Sequence, residues 1–280
     1  MTTPSVTVHS LTPLDPWIAA RIGLDPAMTV TPKSLAAYQL EKLRETLAYV
    51  RLSCPFYQDL FSGFPDKPLE DLNSFRMLPF TTARDLSISP LRFLCVSQSR
   101  IARAVTLQTS GTTGPPKRLF FTASDLESTV DFFHHGMSGL VAPGQRVLIL
   151  MPGGTQGSIG DLLTRALARM DVETIVKGPV QDPETTIREI TGLGIHSLVG
   201  IPVQVLGLVR NPAGRFITPG TLKSVLLSAD FVPRTIADEI GRAWAVPVFQ
   251  HYGMTETGLG GGVECAALDG CHLREADLFF

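Results

Sequence analysis

Apolar residues recur at helical spacing in the first third of the chain. Between residues 40 and 50 they repeat every three or four positions, which predicts one buried face of a helix. Thr31 precedes a proline and can cap the start of this helix, and the Cys-Pro pair at 54–55 ends it. A shorter helix is predicted over 69–75. The Thr-x-x-Asp pattern at 82–85 is typical of a capping box and predicts another helix start.

The pattern changes to alternation at residue 101. Apolar and polar positions alternate over 101–109, which predicts a strand, and 118–122 predicts a second one. Thr122 and Asp125 then form a capping box for a helix that runs towards Met137. Further strands are predicted at 147–151, 174–177, 197–200, 224–228 and 246–250, and further helices at 158–170, 183–191, 202–210 and 233–243.

Apolar strands that alternate with helices predict an α/β fold of layered, parallel-rich sheets flanked by helices. Four prolines without a sustained period predict an irregular surface arm over residues 1–30. Residues 31–100 are predicted to form a helical region and residues 101–280 an α/β core. Ligands of such sheets gather at the carboxyl ends of the strands, so the loops there are the candidates for function.

Composition narrows the class of protein. The 24 basic and 26 acidic residues give a formal charge of −2, which offers no general attraction to nucleic acid or to anionic lipid. Four unevenly spaced cysteines do not resemble a secreted disulfide framework, and the start of the chain lacks the pattern of a signal peptide. We therefore expect a cytoplasmic protein that binds neither nucleic acid nor membrane.

The loop after the first predicted strand is rich in groups that bind phosphate. Its glycines let backbone N–H groups approach an anion, its hydroxyls add donors, and Lys117 adds a charge. A Walker loop requires glycine before the lysine and Ser or Thr after it, whereas this chain has Pro116 and Arg118. The alternative is an exposed turn without a ligand. The candidate residues are Thr109, Ser110, Gly111, Thr112, Thr113, Gly114 and Lys117.

A second candidate loop, 250–262, follows the last predicted strand. Tyr252 can stack on a base, Thr255 can bond a phosphate oxygen, and Glu256 can hold the Mg²⁺ that accompanies nucleotide phosphates. A solvated carboxylate and a half-buried aromatic are the alternative interpretations of Glu256 and Tyr252.

Cys265, Cys271 and His272 are three soft ligands close together in sequence. A structural Zn²⁺ site is one interpretation, although a fourth ligand and the usual spacing are missing. Reduced cysteines beside a loop histidine are the other.

Together the two loops resemble the adenylate-forming (AMP-binding) superfamily of acyl-CoA synthetases, luciferases and peptide-synthetase adenylation domains. Residues 109–117 match its phosphate signature, and 252–256 match its Tyr-Gly-x-Thr-Glu signature. The segments 54–61, 78–82 and 264–277 are similar to the phenylacetate-CoA ligase branch, which includes coenzyme F390 synthetase-like proteins. The resemblance spans about residues 31–280 and implies the large N-terminal domain of this fold.

The resemblance implies a two-step ligase. A carboxylate attacks the α-phosphate of ATP to give an acyl-adenylate, and CoA or a carrier thiol then takes the acyl group. Lys117, Thr255 and Glu256 are implied to be catalytic, with Glu256 holding Mg²⁺, and the loop 110–117 to bind the β- and γ-phosphates. Tyr252, Gly253, Met254 and Thr255 are implied to contact AMP. Ser228, Ala229 and Asp230 stand where the family has its Gly-Gly-Glu loop.

The acid pocket is predicted from the small and apolar residues of these loops. They offer no evident second cation, so a neutral aromatic or aliphatic monocarboxylic acid is the simplest substrate. Ordinary core lining is the alternative for each residue singly. A serine hydrolase is disfavoured, because Gln156 replaces the glycine expected two residues before Ser158. The predicted pocket residues are Met151, Gly153, Gly154, Val199, Ile201 and Gly253.

Family members continue into a small C-terminal domain that carries a further lysine, and no such domain can be placed in this sequence. We therefore expect the chain to be incomplete at its C-terminus, as a fragment or a short paralogue, and its apolar end at 277–280 to be strand-like. Two alternatives stay open: a non-catalytic nucleotide- or partner-binding module, and an F390 synthetase-like adenylyltransferase. A homodimer is compatible with either.

Overall fold

The structure is a computed structural model that describes residues 12–107 and 116–280. The α-helices are α1 (Leu14–Arg21), α2 (Pro32–Ser53), α3 (Pro55–Leu60), α4 (Ala83–Ile88), α5 (Ala123–Met137), α6 (Ile159–Ala168), α7 (Pro183–Gly192), α8 (Pro202–Arg210) and α9 (Arg234–Trp244). The strands are β1 (Ile101–Leu107), β2 (Lys117–Thr122), β3 (Arg146–Leu150), β4 (Glu173–Val176), β5 (Ser197–Gly200), β6 (Ser224–Leu227), β7 (Val248–Tyr252), β8 (Gly262–Glu264) and β9 (Cys271–Leu273). The chain forms two compact units. The first takes its described residues from 1–29 and 128–274, and the second from 30–127 and 275–280.

A seven-stranded sheet organises the first unit. Its order is β4-β3-β5-β6-β7-β8-β9, in which the first five strands are parallel and the last two are antiparallel. Every residue of β5 and β6 is buried, as expected for strands covered on both faces. Ser197 and Ser224, opposite each other in register, join their hydroxyls at 2.8 Å. The predicted α/β fold with a parallel-rich sheet is confirmed.

The main core packs α7, α8 and α9 onto alternate residues of the sheet. Leu148 and Leu150 of β3 lie in the same buried cluster as Ile187 of α7. Trp244 at the end of α9 is almost fully buried in it, and its indole Nε1–H donates to the carbonyl oxygen of Gly214 at 3.2 Å. Burial of these side chains stabilises the unit, because each fully buried one contributes roughly 1.5–3 kcal/mol.

The N-terminal segment differs from its prediction. The irregular surface arm expected over 1–30 contains helix α1, whose Leu14, Trp17 and Ile18 are buried. The Trp17 Nε1–H donates to Asp131 of α5 at 2.8 Å, and the Arg21 guanidinium contacts the same carboxylate at 3.0 Å. Residues 1–11 of the predicted arm lie outside the described residues.

The second unit confirms the predicted start and end of helix α2. Thr31 and Ser34 form a reciprocal capping box at its start, although no residue of α2 is fully buried. The capping box of Thr82 and Asp85 begins α4 as predicted. The helix predicted over 69–75 is wrong, because a single 3₁₀ turn covers Ser74–Met77 instead. Residues 277–280 form no strand, contrary to the expectation of a strand-like end.

Among the helices of residues 12–107 and 116–280, none is both long and apolar enough to span a membrane.

Candidate functional site

Three of the loops predicted to carry function follow strands β3, β6 and β7 and lie at one edge of the first unit's sheet. Strands β3, β5, β6 and β7 are parallel neighbours, so the residues that follow them lie at the same edge. These residues are Met151, Ile201, Ser228 and Gly253. Parallel pairing therefore brings together four segments that are spread over about 100 residues of sequence.

The Tyr-Gly-Met-Thr-Glu segment begins at the last residue of β7. Tyr252 is 43% exposed and Met254 likewise, while Glu256 lies exposed on a 3₁₀ turn over Thr255–Thr257. The Thr257 hydroxyl accepts a hydrogen bond from the Met254 N–H at 3.2 Å and lies 3.0 Å from the Met254 carbonyl oxygen. This local capping presents the Glu256 carboxylate and the Tyr252 ring at the surface.

Two glycines are required by close approaches around this segment. A Cβ at Gly253 would lie 2.4 Å from the carbonyl oxygen of Leu259 and 2.8 Å from Cε1 of His251. A Cβ at Gly261 would lie 2.9 Å from the Tyr252 ring, and the Gly261 N–H donates to the Tyr252 carbonyl oxygen at 2.9 Å. The glycines therefore let the chain fold back tightly from β7 into β8 beneath the tyrosine.

The Ser-Ala-Asp segment follows β6, next to β7 in the sheet. Ala229 has a φ of +72°, in the left-handed region that a residue with a Cβ rarely adopts. The Asp230 carboxylate accepts a hydrogen bond from the Phe231 N–H at 2.7 Å. The Ser228 side chain is buried, and its Oγ lies 2.8 Å from Nδ1 of His251. Asp230 thus lies at the loop surface, whereas the Ser228 hydroxyl is engaged inside the unit.

The predicted acid-pocket residues divide into two groups. Val199 lines a small cavity of about 30 Å³ on the side of the sheet where α5 and α6 pack. Gly153 is in a tight contact, since a Cβ there would meet Val176 at 2.1 Å and the Gly160 Cα at 3.4 Å. Met151 is buried and Ile201 is half-buried. The predicted residues outside the cavity lining are Met151, Gly153, Gly154, Ile201 and Gly253.

The sequence analysis missed His251. The residue lines the same cavity, and its Nε2 is inaccessible to solvent and has no hydrogen-bond partner among the described residues. Burial lowers the pKa of His251 to about 4, so the ring is neutral at physiological pH. The available signal was a lone histidine at the end of an apolar strand, one residue before the conspicuous Tyr252.

The phosphate loop is described only at its flanks. Leu107 and Lys117 face each other in register where β1 and β2 pair antiparallel, so the segment between them joins two strands, as predicted. Lys117 is half-buried and belongs to the second unit. The six candidates from Thr109 to Gly114 lie outside the described residues.

The predicted zinc site is not supported. Within residues 12–107 and 116–280, no three His, Cys, Asp or Glu side chains are arranged to hold a metal ion. The Cys265 thiol accepts a hydrogen bond from the Ala267 N–H at 3.4 Å, and the Cys271 thiol lies 3.8 Å from the Gln250 carbonyl oxygen. Burial raises the pKa of Cys271, which disfavours the thiolate that a metal requires. The cysteines are reduced.

Comparison with known proteins agrees with this architecture. The sequence model of the family described as AMP-binding enzyme matches residues 96–275. A probable 2-succinylbenzoate–CoA ligase of Mycobacterium tuberculosis is 29% identical over 173 residues, covering 61% of this chain and 44% of the relative. A phenylacetate–coenzyme A ligase of Pseudomonas putida is 34% identical over 116 residues, covering 39% of this chain and 25% of the relative. The chain thus spans less than half the length of these curated relatives.

The fold has counterparts among solved structures. A 2-hydroxyisobutyryl-CoA ligase in complex with 2-HIB-AMP and CoA, in the thioesterification state, superposes with a TM-score of 0.77 at 19% identity. The match covers 96% of this chain and 57% of that one. An open form of the same ligase with the same ligands gives a TM-score of 0.75 at 17% identity, covering 86% and 59%. At these identities the similarity concerns the fold.

Proposed function

The chain belongs to the AMP-binding enzyme family, and from that premise we propose that it serves an ATP-dependent acid–thiol ligase. A carboxylate oxygen attacks the α-phosphorus of ATP, pyrophosphate leaves, and an acyl-adenylate forms. A thiol, with CoA as the first candidate, then takes the acyl group and releases AMP. The curated relatives named as CoA ligases support this assignment.

One observation carries the proposal. The Tyr252–Glu256 segment follows β7 directly, and Ser228–Asp230 follows its neighbour β6, so both lie at the carboxyl edge of a parallel sheet. An exposed aromatic ring, a threonine hydroxyl and a carboxylate are the groups needed for a base, a phosphate oxygen and a divalent cation. We assign Tyr252 to the adenine and Thr255 to the α-phosphate.

The donor set fits Mg²⁺ held jointly by protein and nucleotide. Glu256 supplies an exposed carboxylate, and no cluster of three potential ligands occurs in the part of the chain that the structure describes. Mg²⁺ is typically bound by one or two carboxylates together with substrate phosphates and water. When bound, the ion neutralises charge that develops on the phosphates, and Glu256 holds it in position.

On grounds of sequence, Lys117 and the loop before it are further candidates for binding the nucleotide. The loop joins two antiparallel strands, and Lys117 is the first residue of the second one. We assign this lysine and the hydroxyls of 109–113 to the outer phosphates. For the acid, the cavity beside Val199 has an apolar lining without a counter-ion among the described residues, which favours an acid without a second charge.

Titration with ATP in the presence and absence of Mg²⁺ tests the nucleotide site. Glu256→Ala and Lys117→Ala should each weaken ATP binding about tenfold or more, because each removes a charged partner of the metal or phosphates. Glu256→Ala should in addition abolish the dependence on Mg²⁺. Glu173→Ala and Lys223→Ala remove exposed charges at the amino ends of β4 and β6, away from the carboxyl edge, and should leave affinity unchanged. Unchanged affinity in both test variants would contradict the site.

Acid-dependent exchange of labelled pyrophosphate into ATP tests the chemistry. Exchange with a broad panel of aryl and alkyl acids supports the ligase. ATP binding without any exchange favours a nucleotide-binding module instead. Transfer of the nucleotide to a deazaflavin hydroxyl would favour an adenylyltransferase.

A further inference from the structure

Two of the four cysteines lie next to each other in the second unit. Cys54 stands at the junction of two helices, where it ends α2 and begins α3. Cys95 follows the 3₁₀ turn Pro90–Phe93 and precedes strand β1. The two residues are about 40 positions apart in sequence, yet the Cys95 thiol forms a side-chain hydrogen bond with the Cys54 thiol. Folding of the helical region therefore brings two sulfur atoms into contact.

The same 3₁₀ turn anchors both thiols. The Cys54 thiol donates to the carbonyl oxygen of Arg92 at 3.4 Å. The Cys95 thiol lies 3.7 Å from the carbonyl oxygen of Phe93. The Arg92 guanidinium bonds in turn to the carbonyl oxygen of Pro55, the residue after Cys54, at 3.1 Å. Two successive carbonyl groups of one turn therefore hold the two sulfurs side by side.

The other two cysteines show the contrast. Cys265 follows β8, and its sulfur accepts a hydrogen bond from the Ala267 N–H at 3.4 Å. Cys271 begins β9, and its thiol lies 3.8 Å from the Gln250 carbonyl oxygen. These two cysteines are much closer in sequence than the first pair, but their sulfurs have separate backbone partners. Contact between thiols thus follows from the fold and not from sequence spacing.

Cys95 is the accessible member of the first pair. Cys54 is fully buried, whereas Cys95 is half-buried and lines a cavity of about 470 Å³ within the second unit. Burial and the neighbouring Cys54 thiol raise the pKa of Cys95 to about 11, so the thiol is protonated at neutral pH. Oxidation proceeds through the thiolate, so it should be slow at neutral pH and faster as the pH rises.

We propose that Cys54 and Cys95 form an oxidative modification site, which a hydroperoxide converts into a reversible intramolecular disulfide. The hydroperoxide oxidises the Cys95 thiol to a sulfenic acid and is itself reduced, in the case of hydrogen peroxide to water. The Cys54 sulfur then attacks the sulfenic sulfur, the S–S bond forms, and the sulfenic hydroxyl leaves as water with the proton of Cys54. A dithiol reductant restores both thiols and is itself oxidised to a disulfide. This inference does not depend on the proposed ligase function.

The disulfide closes a loop of about 40 residues that contains α3 and α4. Closing such a loop restricts the unfolded or locally opened chain, which favours the folded state. Because Cys54 ends α2, the crosslink joins the end of this half-buried helix to the segment that leads into β1. Oxidation should therefore slow hydrogen exchange at the C-terminal end of α2 and in α3 by about tenfold or more.

Treatment of the full chain with hydrogen peroxide tests the modification site. Remaining thiols are then alkylated, and the protein is digested with trypsin without reduction. Trypsin cuts after Arg84, between the two cysteines, so a Cys54–Cys95 disulfide joins two otherwise separate peptides that mass spectrometry detects. We expect the linked peptides from the folded wild type and their disappearance after dithiothreitol. Cys265 and Cys271 should remain alkylated.

Serine variants identify the two sulfurs. Cys54→Ser and Cys95→Ser should each abolish the linked peptides and the slower exchange of α2 after peroxide treatment. Cys271→Ser is the matched control, because it removes a half-buried thiol from the first unit, and it should form the link as wild type does. The test on wild type needs no variant, so it still decides the proposal where a serine variant fails to fold.

Three results would overturn the proposal. The first is oxidation of methionines or of the other cysteines while Cys54 and Cys95 stay unlinked. The second is an equal yield of links from either residue to Cys265 or Cys271. The third is a Cys54–Cys95 link that forms only in urea, because the folded chain would then not bring the sulfurs together. Equal hydrogen exchange of α2 in the linked and the reduced protein would overturn the stabilising effect assigned to the disulfide.

Discussion

Gly253 occupies a turn that has no room for a side chain. Its substitution by alanine would place a Cβ 2.4 Å from the Leu259 carbonyl oxygen and 2.8 Å from the His251 ring, and the backbone atom cannot yield cheaply. We expect Gly253→Ala to destabilise the protein by about 1–3 kcal/mol. ATP affinity should also fall, because the turn positions Tyr252 and Thr255. Urea denaturation and ATP titration measure the two effects.

Gly207 is the control for this substitution. It lies exposed within α8, and a Cβ there meets nothing within 4 Å. Gly207→Ala should therefore stabilise the protein by about 0.5–1 kcal/mol, because alanine restricts the unfolded chain and favours the helix. A loss of stability of the same size in both variants would show that the tight contacts around Gly253 are not the cause.

At the residue scale, the sequence predicted which side chains carry suitable chemistry better than it predicted which side chains contact one another. Tyr252, Thr255 and Glu256 could be chosen because a short motif names them, and Val199 because its strand ends at the functional edge. His251 could not be chosen, because a histidine in a strand is exposed or buried depending on the elements that pack against that strand. Here Phe132 and Phe133 of α5 pack against it, and they lie more than 110 residues earlier in the sequence. The orphaned Nε2 is visible only once these elements pack.

At the scale of elements, helix α1 depends on one carboxylate of α5. Burial tends to raise the pKa of Asp131, but the hydrogen bond from Trp17 and the positive charges of His135 and Arg21 outweigh it, so its pKa is lowered. Arg169 lies 3.8 Å from the same group. The folded protein therefore favours the ionised form, which stabilises α1 most where Asp131 is charged.

We expect Asp131→Asn to lower the free energy of unfolding by about 1 kcal/mol at pH 7, since the amide keeps an acceptor but loses the charge. Because the folded pKa is lowered, this contribution is complete above the ordinary aspartate value of about 3.9 and is lost as the pH falls through the folded value. The difference from wild type should therefore shrink between pH 5 and about pH 3 in urea denaturation.

Asp238→Asn serves as the control, because Asp238 forms an exposed pair with Arg234 at 3.8 Å within α9. The Asp238→Asn substitution should change the free energy of unfolding by close to zero at pH 5 and at pH 3. An Asp131→Asn difference that stays constant down to pH 3 would contradict the role assigned to the carboxylate.

Elements with a strong local signal were predicted closely, and those that depend on distant partners were not. Strand 197–200 and helix 202–210 agree residue by residue, because an apolar run and a proline at the first turn mark them. Helix α1 was missed because prolines dominate its surroundings, while its apolar face is explained only by α5. The three-residue strands β8 and β9 show no alternation, and only the pairing of β8 with β7 and of β9 with β8 reveals them.

At the scale of the whole molecule, the two units differ in how much they bury. Strands β5 and β6 of the first unit consist entirely of buried residues. In the second unit, the buried apolar side chains among the described residues are Cys54, Phe61, Leu69, Leu126 and Ala276. Helix α2 has 22 residues and its predicted apolar stripe, yet the stripe is only half-buried and none of its residues is fully buried. Local stability follows buried apolar contacts, so the units should open at different free energies.

Hydrogen exchange followed by mass spectrometry tests this difference. Amides of β5 and β6 should exchange only through openings close to global unfolding, whereas those of α2 should exchange through cheaper local openings and lose protection first. Helix α6 is the matched helical control, since five of its ten residues are buried, and its amides should resemble the strands rather than α2. Equal protection of α2 and α6 would contradict this expectation. It would mean that burial of apolar side chains does not determine the local stability of these helices.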